Sequence, residues 1–312
     1  MKTHNKNNRI VFDPLKSINS GQVFLWQKNN GSWYGINGQE LLKFTLIEQP
    51  SINNINIKNT GEKKEVEIEY RSYPCKDNWE KIFFRLDDDY KALQNTLTKD
   101  KIIRDIYQKY EGLRVIRQNP FQCIISFICA SNTNIRRIRR MLRNLSKKFG
   151  EKIIYDGLEF DLFPKAKKLS TASINELESC GLGYRAKFVK SVAKDIESKG
   201  LNFEYIKKKS YEIGKSELIK LNGIGNKTAD CILLFSFEKL NAFPIDLWIY
   251  RSLLENYSWF FDYKENLFSI GKPTNSQYNI ISSKVRNYFG EYSGYVQQYL
   301  YYHIRETAKR KW

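Results

Sequence analysis

The chain has 312 residues, and 41% of them are hydrophobic, which is enough for a packed core in one large domain or two ordinary ones. Its 52 lysines and arginines outnumber 34 acidic residues, so the net charge is +18 and nucleic acid, ahead of an anionic membrane surface, is the expected partner. Five cysteines without a C-x-x-C pair, two histidines and the lack of a long apolar run argue against zinc sites, iron–sulfur clusters and a membrane span.

Residues 22–73 alternate between apolar and polar positions, with Asn/Gly-rich turns between the segments. This period of two predicts a small antiparallel sheet from the segments QVFLWQ, SWYGIN, ELLKFTL, NINIK and EVEIEY. Helical periodicity takes over after Pro74. The predicted fold class is therefore α+β, with an N-terminal β domain at residues 1–78 packed on a larger all-α domain at residues 79–312.

Segments with a period near 3.6 residues follow almost to the C-terminus. NPFQCIISFICAS is apolar on all sides and predicts a buried helix, while NIRRIRRMLRNLSKKFG predicts an amphipathic helix ending at Gly150. In a helical projection of the second segment, four arginines share one arc and Arg137 lies apart, beside Met141. Further helices are predicted near 172–180, 184–198, 213–221, 226–237, 246–256 and 275–309.

ELIKLNGIGNKTADCILLFSF predicts a helix–hairpin–helix at about residues 213–237. Glycine at positions 223 and 225 permits positive φ angles and the close approach of another backbone. The free amides at the start of the second helix would bind a phosphate oxygen, which makes the hairpin an anchor for the DNA backbone. An ordinary helical corner is the alternative.

Lys227 opens the second helix, where the helix dipole disfavours a positive charge. We expect this position, beside a partly buried cleft, to lower the pKa of the lysine and make its amine nucleophilic. Cys231 shares its face of the helix. Asp246, in the PID segment, is predicted to cap another helix and to stabilise positive charge nearby. On the residues alone, a phosphate contact for Lys227 and a plain capping role for Asp246 remain open.

These motifs, together and in order, resemble those of the 8-oxoguanine DNA glycosylases with lyase activity, within the helix–hairpin–helix/GPD superfamily. The resemblance covers about residues 12–309 and is carried by SGQVFLW, FRLDDDY, QNPFQCIISFICASNTNI, GLGYRAKFV, LNGIGNKTADCI, PID and GEYSGYVQQYLYY. It implies that Lys227 attacks C1′ of the deoxyribose, expels the base and forms a Schiff base that proceeds to β-elimination, while Asp246 stabilises the developing charge. The base must first leave the duplex, because C1′ is shielded inside it.

The resemblance also implies a pocket for the damaged base. Gly21 would accept a hydrogen bond from N7–H, a proton that oxidised guanine has and guanine lacks. Gln297 would read the Watson–Crick edge. Tyr301, in place of a phenylalanine, would stack on the base opposite Cys231, and Phe24 is assigned to the same pocket.

Further positions are implied to contact DNA. Asn132 resembles the asparagine that fills the space left by the base, and Tyr184 resembles the residue that wedges into the base stack. Arg137 and Arg185 resemble the pair that contacts the orphaned cytosine. Trp248 stands where many relatives have a phosphate-binding histidine, so stacking or packing is expected of it instead. The full predicted set of DNA contacts is Asn132, Arg137, Tyr184, Arg185, Gly223, Gly225 and Trp248.

The expected protein is a base-excision repair glycosylase/AP lyase that acts as a monomer on double-stranded DNA containing 8-oxoguanine, preferably opposite cytosine, with no metal or organic cofactor and no membrane association. An odd cysteine count and a polar start predict an intracellular setting, either the cytoplasm and nucleoid of a prokaryote or the nucleus of a eukaryote. Two alternatives remain. One is the same fold acting on alkylpurines or oxidised pyrimidines, and the other is a non-catalytic reader of kinked DNA.

Overall fold

The computed structural model describes residues 11–47, 67–199, 201–261 and 271–309. Near the N-terminus an antiparallel sheet is formed, in chain order, by β1 (Trp26–Asn29), β2 (Ser32–Asn37), β3 (Glu40–Ile47) and β4 (Glu67–Tyr73). Two-residue turns join the first three strands, and the positive φ angles of Asn30, Gly31 and Gly38 suit such tight hairpin turns. The predicted strand NINIK lies outside the described residues.

Helices make up most of the remaining chain. Their bounds are α1 (Pro14–Asn19), α2 (Trp79–Phe83), α3 (Tyr90–Lys99), α4 (Lys101–Lys109), α5 (Pro120–Cys129), α6 (Ile135–Phe149), α7 (Ala166–Thr171), α8 (Ile174–Glu178), α9 (Arg185–Lys199), α10 (Phe203–Lys208), α11 (Tyr211–Ile219), α12 (Asn226–Ser236), α13 (Leu247–Asn256), α14 (Asn275–Phe289) and α15 (Ser293–Lys309). None of the helices in the described ranges is long and apolar enough to cross a membrane.

A small core forms between the sheet and α2. The Trp26 ring lies so close to Gly35 that a Cβ on this glycine would be 2.1 Å from the indole. Trp26 also packs on Phe44 and Phe83, with ring centroids 5.5 and 5.8 Å apart. The sheet therefore buries its apolar face against the first helices. The domain boundary at residue 78 stays a prediction.

Helix α5 lies in the larger core. Every residue from Phe121 to Cys129 is buried, and Asn119 caps the helix by accepting a hydrogen bond from the Gln122 amide. The prediction of a buried helix from this apolar segment is confirmed. Because α5 packs directly against α12, it supports the helix that carries Lys227.

Helix α6 buries its apolar face and exposes its basic face, as its sequence predicts. Ile138, Leu142 and Leu145 are buried, whereas Arg137 is exposed. The helix starts at the cap residue Asn134 and ends before Gly150. The amphipathic pattern therefore fixes which side of α6 packs on the core and which side faces solvent.

Two parts of the helical region differ from the expectation. Residues 152–161 form a hairpin of β5 (Lys152–Tyr155) and β6 (Leu158–Asp161), because Asp156 and Gly157 both take positive φ and make a two-residue turn. The single helix expected at 275–309 is two helices, α14 and α15, since Gly290, with φ of 78°, ends the first. The α+β fold class is confirmed.

Candidate active site

The predicted helix–hairpin–helix consists of α11 and α12 with the turn between them. Gly223 has φ of +86°, and a Cβ there would lie 2.7 Å from the Phe188 ring, so the turn requires glycine at this position. Gly225 differs from the expectation, because its φ of −99° is an extended conformation that any residue adopts. Nothing lies within 4 Å of the position of its Cβ. Gly225 therefore leaves open space at the start of α12.

A cleft of about 960 Å³ lies beside this hairpin. Among the predicted functional residues, it is lined by Gly21, Phe24, Asn132, Gly225, Lys227, Asp246, Trp248 and Tyr301. An inner chamber of about 40 Å³ shares some of these walls and is also lined by Cys231 and Gln297. That volume holds a few water molecules at most, so a purine base enters only if the chamber widens.

Lys227 is the second residue of α12 and lines both the cleft and the inner chamber. Its Nζ atom lies 5.3 Å from the centroid of the Phe127 ring, which belongs to α5. The residue is half-buried. Its amine therefore faces an enclosed space next to an aromatic wall.

Asp246 lines the same cleft and chamber from the start of α13. As predicted, it is the N-cap residue, and its Oδ1 accepts a hydrogen bond of 2.8 Å from the Ile249 amide. This bond fixes the direction of the carboxylate. In the described part of the chain no ion pair joins Asp246 to Lys227, but their charges interact across the cleft.

The expected lowering of the Lys227 pKa is wrong, since its pKa is raised above the ordinary lysine value. Burial of the ammonium lowers this pKa, but negative charge on Cys231 and on Asp246 outweighs burial. Burial also raises the pKa of Cys231, to about 11. The ammonium is therefore the favoured form of Lys227, and the amine must lose a proton before it can act as a nucleophile.

The loop before β1 forms one wall of the chamber. Gly21 has φ of +91°, and a Cβ on it would lie 2.7 Å from Nη1 of Arg305 and 3.0 Å from Cε1 of Tyr301. The buried side chain of Gln22 holds this loop, donating to the Arg114 carbonyl at 2.7 Å. Gly21 is therefore placed at the chamber by its neighbour's hydrogen bonds, and no larger residue fits without displacing Arg305.

Two residues of α15 complete the chamber. Gln297 is buried, and its Nε2 donates to the Pro244 carbonyl at 3.1 Å while its Oε1 accepts from Gln298 at 2.8 Å. Tyr301 lines the chamber together with Lys227 and Cys231, and burial raises the pKa of its hydroxyl. The polar atoms of Gln297 are thus already in use, and a bound base would have to compete for them.

Two family models match consecutive parts of the chain, namely the 8-oxoguanine DNA glycosylase N-terminal domain at residues 5–124 and the HhH-GPD superfamily of base excision DNA repair proteins at residues 125–265. A crystal structure of the Clostridium acetobutylicum 8-oxoguanine glycosylase/lyase, in complex with DNA containing cytosine opposite 8-oxoguanine, is 31% identical, with a TM-score of 0.76. The match covers 95% of this chain and 93% of that one. The chain belongs to the 8-oxoguanine DNA glycosylase family.

Curated members of this family agree with the assignment. The N-glycosylase/DNA lyase OGG1 of Arabidopsis thaliana is 28% identical over 302 residues, which is 94% of this chain and 76% of the plant protein. The N-glycosylase/DNA lyase of Saccharomyces cerevisiae is 33% identical over 189 residues, 56% of this chain and 50% of the yeast protein. The similarity therefore extends over both the sheet and the helical region.

The residues predicted to contact DNA in this glycosylase lie around the cleft or beyond its rim. Asn132, with φ of +49°, accepts a hydrogen bond of 3.0 Å from Lys272 across the cleft. Arg185 donates to the Ser131 carbonyl, and its guanidinium lies 4.5 Å from the centroid of the Tyr184 ring. Tyr184 is 50% exposed. An exposed aromatic ring backed by an arginine can reach a DNA base stack.

Other predicted contacts are less closely grouped. Trp248 is 52% exposed on the cleft wall, with the Arg251 guanidinium 5.9 Å from its ring centroid. Arg137, Tyr184, Arg185 and Gly223 are not part of the cleft lining. The roles of all these residues stay predictions.

Two cations that were not predicted from the sequence face the cleft. Lys272 lies in the segment before α14, and Arg305 lies near the end of α15 and donates to the Asn19 carbonyl at 3.1 Å. Both are single basic residues in segments without a recognisable motif. Only the folded chain brings them to the cleft, so no local pattern could have identified them.

Proposed function

We propose that this glycosylase extrudes 8-oxoguanine from duplex DNA, preferably opposite cytosine, excises it, and then cleaves the DNA strand as an AP lyase. The observation that carries the proposal is that Lys227 and Asp246 line one enclosed space at the end of a positively charged cleft. The relatives support it, because those named above are N-glycosylase/DNA lyases or an 8-oxoguanine glycosylase/lyase. The enzyme acts wherever the genome lies, in the nucleoid or the nucleus.

The reaction starts when the Lys227 ammonium loses its proton to solvent in the cleft, so that the Asp246 carboxylate stays charged. The neutral amine attacks C1′, the bond from C1′ to N9 breaks, and the base leaves with the bonding electrons and takes up a proton. Opening of the sugar ring at O4′ then gives the Schiff base. Loss of a proton from C2′ expels the 3′ phosphate by β-elimination, and water finally releases the lysine.

Asp246 acts chiefly through its charge. Positive charge develops on the sugar as the base departs, and a fixed carboxylate nearby stabilises it without having to reorient. The bond from the Ile249 amide holds the carboxylate in place. This arrangement explains why the same aspartate serves both as a helix cap and as a catalytic residue.

Recognition of the lesion rests on the inner chamber. The Gly21 carbonyl accepts from N7–H of 8-oxoguanine, whereas normal guanine presents a lone pair there, which leaves an acceptor unpaired. Gln297 turns from Pro244 to the Watson–Crick edge, and Tyr301 stacks on the base opposite Cys231. Arg137 and Arg185 pair with the cytosine left behind.

Borohydride trapping tests the proposal. The protein should form a covalent adduct with a duplex that contains one 8-oxoguanine opposite cytosine, and form it more slowly when adenine is opposite. A duplex with normal guanine should give none. Gel electrophoresis of reduced samples measures each yield.

Each alternative function predicts a different outcome for trapping and base release. A non-catalytic reader of kinked DNA binds the lesion duplex but yields no adduct. A glycosylase for alkylpurines releases those bases as fast as 8-oxoguanine. Equal trapping opposite cytosine and adenine contradicts the assignment of Arg137 and Arg185.

Gly21→Ala should lower the single-turnover rate of 8-oxoguanine excision by at least about tenfold, with little loss of affinity for undamaged duplex. The added methyl group enters a backbone with φ of +91°, which side chains rarely adopt, and lies 3.0 Å from Cε1 of Tyr301, so we expect the carbonyl that reads N7–H to shift. Strain of this kind is worth about 1–3 kcal/mol. Rapid-quench measurement of base release determines the rate.

Gly31→Ala is the matched control for Gly21→Ala. Gly31 has a similar φ of +79°, but it lies in the β1–β2 turn with nothing within 4 Å of its Cβ position. Its substitution should cost stability and leave excision unchanged. If both variants slow excision equally, the effect is a general loss of folding stability and Gly21 has no special part in recognition.

A further inference from the structure

A buried carboxylate lies one turn away from Lys227, and the reaction described above does not use it. Asp230, on α12, is fully buried and accepts hydrogen bonds of 2.6 Å from the hydroxyl groups of Tyr211 and Tyr278. The Lys215 ammonium lies 3.3 Å from Oδ1. A buried carboxylate is costly unless it is paired, and these three donors compensate it.

Tyr278 makes a second hydrogen bond that leads towards the catalytic carboxylate. Its hydroxyl oxygen accepts from the Ile245 amide at 3.1 Å, and Ile245 directly precedes Asp246. Because the hydroxyl donates its single proton to Asp230, its lone pairs are free to accept from this amide. A continuous chain of hydrogen bonds therefore runs from α12, which carries Lys227, to the residue before Asp246.

The peptide group between Pro244 and Ile245 also accepts a hydrogen bond through its carbonyl oxygen. The carbonyl of Pro244 and the amide of Ile245 belong to one peptide plane, and the carbonyl accepts from Gln297 at 3.1 Å. In the proposed reaction, however, Gln297 turns towards the base. Tyr278 then remains as the side chain that orients this peptide plane while the chemistry takes place.

We propose that Tyr278, oriented by Asp230, is a positioning residue that sets the Asp246 carboxylate relative to the Lys227 amine. This inference rests on the proposed function of Lys227 and Asp246. Although Tyr278 also lines the cleft, in this role it acts through the peptide before Asp246. Its hydroxyl is needed because a phenylalanine ring fills the same volume but cannot accept from Ile245.

The chain contains a matched control. Tyr211 also donates to Asp230 and is equally buried, but its hydroxyl accepts from Lys215 and, among the described residues, makes no hydrogen bond to the segment before Asp246. Its ring packs against the Arg286 guanidinium, 3.7 Å from the centroid. Tyr211→Phe and Tyr278→Phe thus both remove a donor from Asp230, and only the second frees the Ile245 amide.

The test compares single-turnover excision of 8-oxoguanine by the wild type and the two variants. Tyr278→Phe should lower the rate constant roughly tenfold, as expected for loss of one buried hydrogen bond that acts on the transition state, and leave the affinity for lesion duplex unchanged. Tyr211→Phe should stay within about twofold of the wild type, although thermal melting shows a comparable loss of stability. Equal rates for Tyr278→Phe and the wild type, or equal losses in both variants, overturn the inference.

A double-mutant cycle separates positioning from a structural effect. In an Asp246→Asn background, Tyr278→Phe should have no further effect on the residual rate, because its action passes through the carboxylate. An undiminished effect in that background contradicts the inference. Absence of any wild-type adduct on borohydride trapping would instead refute the proposed function, so the two failures are distinguishable.

Hydrogen exchange tests the geometry without a substitution, should Tyr278→Phe not fold. The Ile245 amide of the wild-type protein should exchange slowly, at a rate near that of the core amides of α12, because it is buried and bonded. Exchange at the rate of an open loop would show that Tyr278 does not hold this peptide, and the inference fails.

Discussion

Lys227→Gln should abolish the borohydride-trapped adduct and lower 8-oxoguanine excision by roughly 10⁴-fold or more, while binding to the lesion duplex survives. Glutamine is of similar length and fits the chamber, but its amide nitrogen is not a nucleophile. The cleft walls that bind DNA are unchanged. Trapping, single-turnover base release and fluorescence anisotropy of labelled duplex measure the three quantities.

Lys220→Gln is the matched control, since it removes the same charge from an exposed lysine at the end of α11, which pairs with Glu217. We expect this variant to form the borohydride-trapped adduct in the same yield as the wild type. A persistent adduct in Lys227→Gln would assign the Schiff base to another amine. A parallel loss of duplex binding would mean that Lys227 serves mainly as a phosphate contact.

The position of Lys227 at the start of α12 is explained by its partner across the cleft. A cation at an exposed helix N-terminus costs about 0.3–1 kcal/mol. Here burial lowers the pKa of Lys227, but the charges on Cys231 and on Asp246 together raise it above the ordinary value. In the free enzyme the Lys227 amine is therefore protonated, and it loses this proton during the reaction.

Local patterns predicted much of the fold. The alternation in residues 22–73 and the apolar segment at Phe121–Cys129 were sufficient for the sheet and the buried helix, since each is a property of neighbouring residues. The β5–β6 hairpin was missed although Asp156 and Gly157 form a turn pair typical of hairpins. Its two strands are only four residues each, and they lie between segments with helical periodicity.

The site was harder to predict, because its properties arise between distant segments. The direction of the Lys227 pKa shift was predicted wrongly because the helix dipole and burial can be inferred from α12 alone, whereas the charges on Cys231 and Asp246 together outweigh burial, and Asp246 comes from another helix. Likewise, the bond from Ile245 to Tyr278 joins residues that are far apart in sequence. Motifs identify which residues carry chemistry, and tertiary contacts determine their ionisation and alignment.

Asp246→Asn should lower excision of 8-oxoguanine by about 10²–10³-fold, the usual cost of removing one electrostatic group from a transition state. A second effect of the substitution partly offsets this loss of rate. Without the carboxylate the pKa of Lys227 falls, so a larger fraction of the amine is neutral. One pKa unit corresponds to about a tenfold gain in neutral amine at most. Loss of charge stabilisation is therefore the larger effect, and the rising limb of the rate against pH should move to lower pH.

Stability distinguishes the catalytic role of Asp246 from its role as a helix cap. Asparagine is as good an N-cap as aspartate, so Asp246→Asn should melt near the wild-type temperature, whereas Asp246→Ala should lose about 1 kcal/mol. Both variants should be almost inactive. If Asp246→Asn keeps wild-type excision and only Asp246→Ala is impaired, then Asp246 serves as a cap alone, and the charge that stabilises the sugar must come from another group in the cleft.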